Sequence, residues 1–206
     1  VLTCAGVDFH YGTLEGMPTV VARCGVGKVC AAMCAQVMID RFHVAALINT
    51  GVAGGVASGL SVGDLVIGAD AVQHDFDITA FGHVKGYMDL GIESGGGSHP
   101  TRFTADPRLV SAFRAAADKV LGPGKTREGT IASGDMFVAD DAVKREIADA
   151  FGAAAVEMEG AAIAQTASAN GVPFVIVRAI SDLAGEKADV SFDEFEKTAA
   201  RSSAEI

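Results

Sequence analysis

Basic side chains are scarce in this sequence. Lysine and arginine number 16 against 26 aspartates and glutamates, a formal net charge of −10 over 206 residues with a pI near 4.8. A chain of that sign lacks the basic face that a general nucleic-acid or anionic-membrane binder needs. A small neutral or cationic substrate remains compatible with it. Long apolar runs are also missing: none approaches the ~18–20 uninterrupted residues of a membrane-spanning helix. No secretory leader is legible, and the first residue is Val1 rather than Met. Cysteine is sparse, at 4 residues: Cys4, Cys24, Cys30 and Cys34. Cys30 and Cys34 share a helix face at i, i+4, but no histidine or second cysteine pair nearby completes a zinc site. Buried free thiols in a reducing, cytoplasmic setting are the expectation. Two nucleotide signatures are absent as well. Asn49 to Gly55 does not contain the G-x-G-x-x-G fingerprint. Gly25-Val26-Gly27-Lys28 fails as a P-loop, because Val29 stands where a hydroxyl would hold magnesium.

Apolar residues and glycine are plentiful instead. Half of the chain is hydrophobic, 20% is charged and 25 residues are glycine, which suffices for one sizeable core. Pro18 to Arg23 reads as a strand, and Gly27 to Phe42 has helical spacing. Val44 to Asn49 is an apolar run short enough for a strand buried on both faces, and Asp64 to Val72 is another strand. His74 to Pro100, with Gly95-Gly96-Gly97, is expected to be a long mobile loop of the kind that covers a site. Asp106-Pro107 marks a helix start, and that helix runs to about Val120. Then follow a strand at Glu128 to Ala132, a helix at Asp140 to Phe151, a strand at Ala153 to Glu157 and an Ala-rich helix at Gly160 to Asn170. A buried strand at Pro173 to Ile180 and a capping box at Ser191 to Glu194 complete the series. The alternation predicts an α/β layered sheet in one domain spanning 1–206.

Three strand ends carry unusual residues. In Asn49-Thr50-Gly51-Val52-Ala53-Gly54-Gly55, the glycines either let a ligand approach the backbone or make a tight turn at positive φ. In Val156-Glu157-Met158-Glu159-Gly160, an extended backbone would point Glu157 and Glu159 to the same side. Paired carboxylates there resist joint ionisation unless offered hydroxyls or cations, and the two hydroxyls of a ribose fit that need. The third strand end, Arg178-Ala179-Ile180-Ser181-Asp182, offers an aspartate that could act as an acid, or simply a cap with an arginine partner.

At these residues the sequence closely resembles the bacterial 5′-methylthioadenosine/S-adenosylhomocysteine nucleosidases, of the nucleoside phosphorylase superfamily. The resemblance runs through Gly27-Lys28-Val29, Ile48-Asn49-Thr50-Gly51 with Ala53-Gly54-Gly55, Asp77 to Gly82, Ser133-Gly134-Asp135, Val156 to Glu159, Arg178 to Asp182 and Ser191 to Phe195. Each stretch is weak alone, but they occur in the family's order along nearly the whole chain. The resemblance implies a three-layer α/β/α sandwich with a central mixed sheet. It implies hydrolysis of an N-glycosidic bond, releasing adenine from a 5′-thio-substituted ribose with no cofactor and no metal. Asp182 would protonate N7 of adenine, with Ser181 holding it. Glu159 would bind the ribose hydroxyls beside Met158, and Arg178 would orient the acidic cluster that includes Glu157. Met136, Phe137 and Val138 would receive the adenine, Phe137 by stacking. Ala53 and Gly54 would line the nucleoside, and Ile78 and Phe192 the ribose and alkylthio side. Phe81 and His83 would reach into a neighbouring subunit's pocket, implying a homodimer with shared sites.

Asp rather than Asn at 182 favours 6-aminopurines. Ile48-Asn49-Thr50 lacks the arginine that phosphorylase relatives present to phosphate, so water is the expected nucleophile. His74-Asp75-x-Asp77 looks like a metal cluster but matches a family loop that binds none. Departures are His83 where Tyr is common and Val52 where Ser is common. The family's first strand and its water-activating Glu precede the region that begins at Val1, and Glu15, in a turn-like Leu14-Glu15-Gly16, is not the matching position. A phosphorolytic enzyme and a non-catalytic nucleoside binder are the competing readings.

Overall fold

The computed structural model describes residues 1–91 and 97–185. The expected capping box at 191–194, and Phe192 within it, lie outside the described residues.

The chain opens with a three-stranded antiparallel sheet: β1 (Leu2–Cys4), β2 (Val7–Leu14) and β3 (Met17–Ala22). Both of its turns put consecutive residues at positive φ, Ala5-Gly6 and Glu15-Gly16, the geometry of tight two-residue hairpins. Glu15 is therefore a turn residue, as its sequence context suggests. Sequence pattern shows only β3, because β1 and β2 bury almost nothing. Phe9 is the exception; it and Tyr11 each meet Phe42 at the end of α1 in a tilted contact, with ring centroids 5.7 Å apart in both pairs.

Next come α1 (Lys28–Phe42), β4 (Leu47–Gly55), β5 (Leu65–Gln73) and a 3-10 turn at Thr79–Phe81. After them lie β6 (Phe103–Thr104), α2 (Pro107–Leu121), β7 (Thr126–Ser133), α3 (Asp141–Phe151), β8 (Ala153–Glu157), α4 (Gly160–Ala169) and β9 (Phe174–Asp182). The six later strands form a mixed sheet in the order β6-β5-β7-β8-β4-β9, and β9 pairs back onto β5. The α/β architecture with a mixed sheet is the expected one, and the closure of five of its strands into a ring is an addition to it.

Local chemistry explains the elements. Asp106 accepts the N–H groups of Arg108 and Leu109, and Pro107 occupies the first turn of α2. Asp140 caps α3 in the same way, so that helix starts one residue later than the sequence suggests. In α4 the small side chains Ala161, Ala162, Ala164 and Ala167 are buried, which lets α4 pack closely on α1 and the sheet. β9 is buried along its whole length, as its apolar run predicts. β4 differs from expectation: it begins at Leu47, and Ile48 is exposed, so one face is open at its start. Where described, the segment after β5 carries hydrogen bonds of its own. Gly86 N–H donates to the Phe76 carbonyl, Thr101 N–H to the Gly86 carbonyl and Met88 N–H to Thr101 Oγ1.

Candidate active site

Parallel pairing of β5, β7 and β8 brings Gln73, Ser133 and Glu157 side by side at their C-terminal ends. β8 then meets the end of β4, with Gly54 opposite Val156. β4 runs parallel to β9, with Gly51 opposite Arg178 and Gly54 opposite Asp182. The register slips by one residue between Ala53 and Gly54, so Ser181 is an extra residue in β9. Bulges of this kind re-aim the side chain that follows, here Asp182.

The glycines of β4 do not form the tight turn at positive φ, one of the two roles read from the sequence. Gly51, Gly54 and Gly55 have no positive φ. A β-carbon at Gly51 would stand 2.7 Å from Arg178 Nη1. The glycines make room for side chains of the neighbouring strand.

Arg178 is only 2% exposed. Its Nη2 and Nε contact Glu157 Oε2, the latter at 3.1 Å, and Nη2 also donates to Asn49 Oδ1 at 2.6 Å. Glu157 further accepts the Ser133 hydroxyl and the N–H groups of Glu159 and Gly160, at 3.1 and 2.8 Å. Ser133 Oγ in turn accepts the Ala161 N–H at 2.7 Å. The open amides of the α4 N-terminus are satisfied this way. Burial alone would lift the Glu157 carboxyl, but Arg178, Ser133 and the Gly160 N–H hold it below the usual range.

The expected side-by-side presentation of Glu157 and Glu159 is corrected here. β8 ends at Glu157, and Glu159 stands at the N-cap of α4 with φ −133 and ψ −40 rather than in the strand, though both carboxylates border Arg178 Nη2. Glu157 is consumed by internal partners and has no lone pair left for a ribose. Glu159 is 18% exposed, accepts the Gly27 N–H at 2.9 Å and lies 3.9 Å from Arg178 Nη2. Burial first, and Glu157 second, push its carboxyl up. Met158 beside it is half-buried.

Asp182 is 2% exposed. Its Oδ2 accepts the Ser181 hydroxyl at 2.9 Å and its Oδ1 the Ala184 N–H at 2.8 Å. The Ser181 hydroxyl also lies 3.4 Å from the Ala53 carbonyl. The loop after β7 carries Met136 and Phe137, both partly exposed, and buried Val138. Ile78 precedes the 3-10 turn, and Phe81 at its end is 81% exposed. His83 stacks on Tyr87 with ring centroids 4.6 Å apart. Of the apparent metal cluster, Asp75 pairs with Lys28 at 2.5 Å and Asp77 accepts the Thr79 N–H at 2.9 Å. Cys34 is buried, and burial pushes its thiol up to about 11; the other three cysteines are free and half-buried.

The roles of Ser133, Asn49 and the Gly27 N–H are not readable from spacing. Each stands in a stretch that carries the family resemblance, but the partners are far apart along the chain.

The family model described as the phosphorylase superfamily matches residues 3–206. The 5′-methylthioadenosine/S-adenosylhomocysteine nucleosidase of Geobacillus thermodenitrificans is 45% identical over 203 residues, 98% of this chain and 82% of that protein. The crystal structure of the Neisseria meningitidis nucleosidase of the same name, in complex with methylthio-immucillin-A, has a TM-score of 0.90 and 43% identity, covering 99% of this chain and 85% of that one. An Asp-to-Asn mutant of the Helicobacter pylori protein, with 5′-methylthioadenosine in its active site, has a TM-score of 0.90 and 35% identity, covering 98% and 84%.

Proposed function

The chain belongs to the phosphorylase superfamily, and on that premise we propose that this site hydrolyses the N-glycosidic bond of 5′-methylthioadenosine and S-adenosylhomocysteine. The products are adenine and a 5-thio-substituted ribose, a chemistry that suits methionine salvage. The carrying observation is the division of labour among three carboxylates. Glu157 is locked to Arg178, Glu159 keeps partial exposure, and Asp182 is buried between a hydroxyl and an N–H.

Breaking the bond leaves electron density on the purine and positive character on the sugar. Asp182 donates its proton to N7 of adenine, and general acid assistance of this kind is worth ~10²–10⁴-fold. Ser181 and the Ala184 N–H fix the carboxyl's orientation. Glu159 takes the ribose hydroxyls, and its charge favours the cationic sugar. Arg178 and Glu157 are the rigid base on which Glu159 sits. Phe137 stacks on adenine between Met136 and Val138. Ala53 and Gly54 line the nucleoside, and Met158 and Ile78 border the ribose and alkylthio side.

Water is the nucleophile. Support comes from Arg178, which is buried and engaged by Glu157 and Asn49 rather than presented to a phosphate. Phe81 and His83 belong to a subunit contact in a homodimer, a reading supported by the exposure of the Phe81 ring. A cytoplasmic setting suits the four free cysteines.

Adenine release from 5′-methylthioadenosine, followed with and without inorganic phosphate, tests the reading. Release independent of phosphate is expected. A strict phosphate requirement favours the phosphorolytic alternative, and binding without release favours a nucleoside-binding protein.

A further inference from the structure

Three links among Lys28, Asp75 and Asp135 close a ring. The Lys28 N–H donates to Asp135 Oδ1 at 2.8 Å, the Asp135 N–H donates to Asp75 Oδ2 at 2.8 Å, and the Lys28 ammonium meets Asp75 Oδ1 at 2.5 Å. The ammonium also lies 3.9 Å from Asp135 Oδ2. The Lys28 side chain is 16% exposed, so solvent screens this pair less than an open surface pair. Burial would raise the Asp75 carboxyl, but the Lys28 ammonium and the Asp135 N–H hold it below the usual range.

Each member of the ring sits on a different segment, and each segment carries part of the pocket. Directly before Lys28 is Gly27, whose N–H reaches Glu159 Oε1 at 2.9 Å. Gly27 has φ 93, and a β-carbon there would stand 3.1 Å from Asp135 Oδ1, so the ring passes against this peptide. Shortly after Asp75 come Ile78 and the turn ending at Phe81. Directly after Asp135 come Met136, Phe137 and Val138. α1 has no side-chain cap of its own, and the aspartate that receives its first amide comes from the β7 loop.

We infer that the Lys28–Asp75–Asp135 ring is a positioning device, which fixes the start of α1 against the loops after β5 and β7. It aims the Gly27 N–H at the sugar-facing carboxylate of Glu159 and sets residues 136–138 for the base before substrate arrives. The inference rests on the nucleosidase reading. All three are positioning residues and touch no substrate. The chemical logic is that of preorganisation: a displacement of about 1 Å in groups around a reacting bond can cost ~10²-fold in rate.

The test uses the full chain with Lys28→Met, Lys28→Arg, Asp75→Asn and the Lys28→Met/Asp75→Asn double variant. kcat and KM for 5′-methylthioadenosine are measured per functional site, with sites counted by the binding stoichiometry of methylthio-immucillin-A. Lys28→Met and Asp75→Asn are each expected to lower kcat/KM per site by ~10–100-fold. The double variant is expected to be no worse than either single one, because the ring is broken once. Lys28→Arg should recover most of the loss. A purely structural pin would lower the number of functional sites and leave kcat and KM per site within about threefold of the starting protein; that outcome in both single variants overturns the inference. Failure of the unaltered protein to release adenine overturns the nucleosidase reading, a result visible before any variant is made.

Discussion

A β-carbon on Gly54 would stand 2.9 Å from Asp182 Oδ1 and 2.8 Å from the Ala184 β-carbon. The acid at the end of β9 therefore occupies space that only glycine in β4 leaves free. Gly54→Ala should push Asp182 out of its hydrogen bonds to Ser181 and Ala184. Turnover is expected to fall at least ~10-fold, with a stability loss of ~1–3 kcal/mol from overpacking. Steady-state adenine release and urea unfolding of the same preparation check both numbers.

Asp182→Asn keeps the shape and removes the proton. Because protonation matters in the transition state, kcat should fall ~10²–10⁴-fold while KM changes little. An Asp182→Asn protein that turns over at the original rate contradicts the acid role.

Arg178→Met strands the buried Glu157 carboxylate without its cation. Removing one partner of a buried pair costs ~3–5 kcal/mol. A matching drop in the urea midpoint is expected, and an unchanged midpoint would mean that the pair is unimportant for folding.

The two glutamates respond to pH with opposite signs. Glu157 is held low in the fold, so its contribution to stability is complete above its unfolded value of ~4.3 and disappears as pH falls through the lower folded value. Glu159 is held high, so its contribution is complete below ~4.3 and is lost as pH rises through the raised folded value. Glu159→Gln should therefore be more stable than the natural chain at pH 7 and much less active. In the natural chain the acid limb of the kcat/KM profile should sit above the ordinary glutamate range. Paired urea titrations and rate profiles decide the matter; a Glu159→Gln protein less stable at neutral pH would reverse the sign.

Phe81→Ala removes a ring that is already 81% exposed. Stability of the subunit should change by no more than ~0.5 kcal/mol, whereas KM for the thio-nucleosides should rise if the ring serves a neighbour's pocket. Sedimentation velocity alongside the kinetics tests the homodimer; a monomer with unaltered KM counts against it.

A helix with an explicit cap is legible in the sequence, as Asp106-Pro107 shows, and so is β9, whose apolar run is long and unbroken; the capping role of Asp140 emerges only in the fold. β1 and β2 are not, since apart from Phe9 their two faces are largely exposed, as at Asp8, His10, Tyr11 and Thr13, and leave no pattern. The acids at 157, 159 and 182 can be picked out because charge at the end of an apolar strand is unusual. Their unequal duties cannot, because these depend on Ser133, Asn49 and Gly27, contributed from distant parts of the chain. Lys28 shows the same limit from the other side: spacing rules out a P-loop but says nothing of Asp75 or Asp135.

β9 is hydrogen-bonded along both sides, with Val177 to Ala179 paired to Thr50 to Val52 of β4 and to Leu65 to Ile67 of β5. No free margin exists there from which the strand could peel. Amide protons in this stretch can exchange with solvent only when the closed ring opens as a unit, so they should number among the slowest in the molecule. Asp182, the proposed proton donor, stands three residues beyond this doubly paired stretch, so the motion that admits a nucleoside is expected in the loops around it.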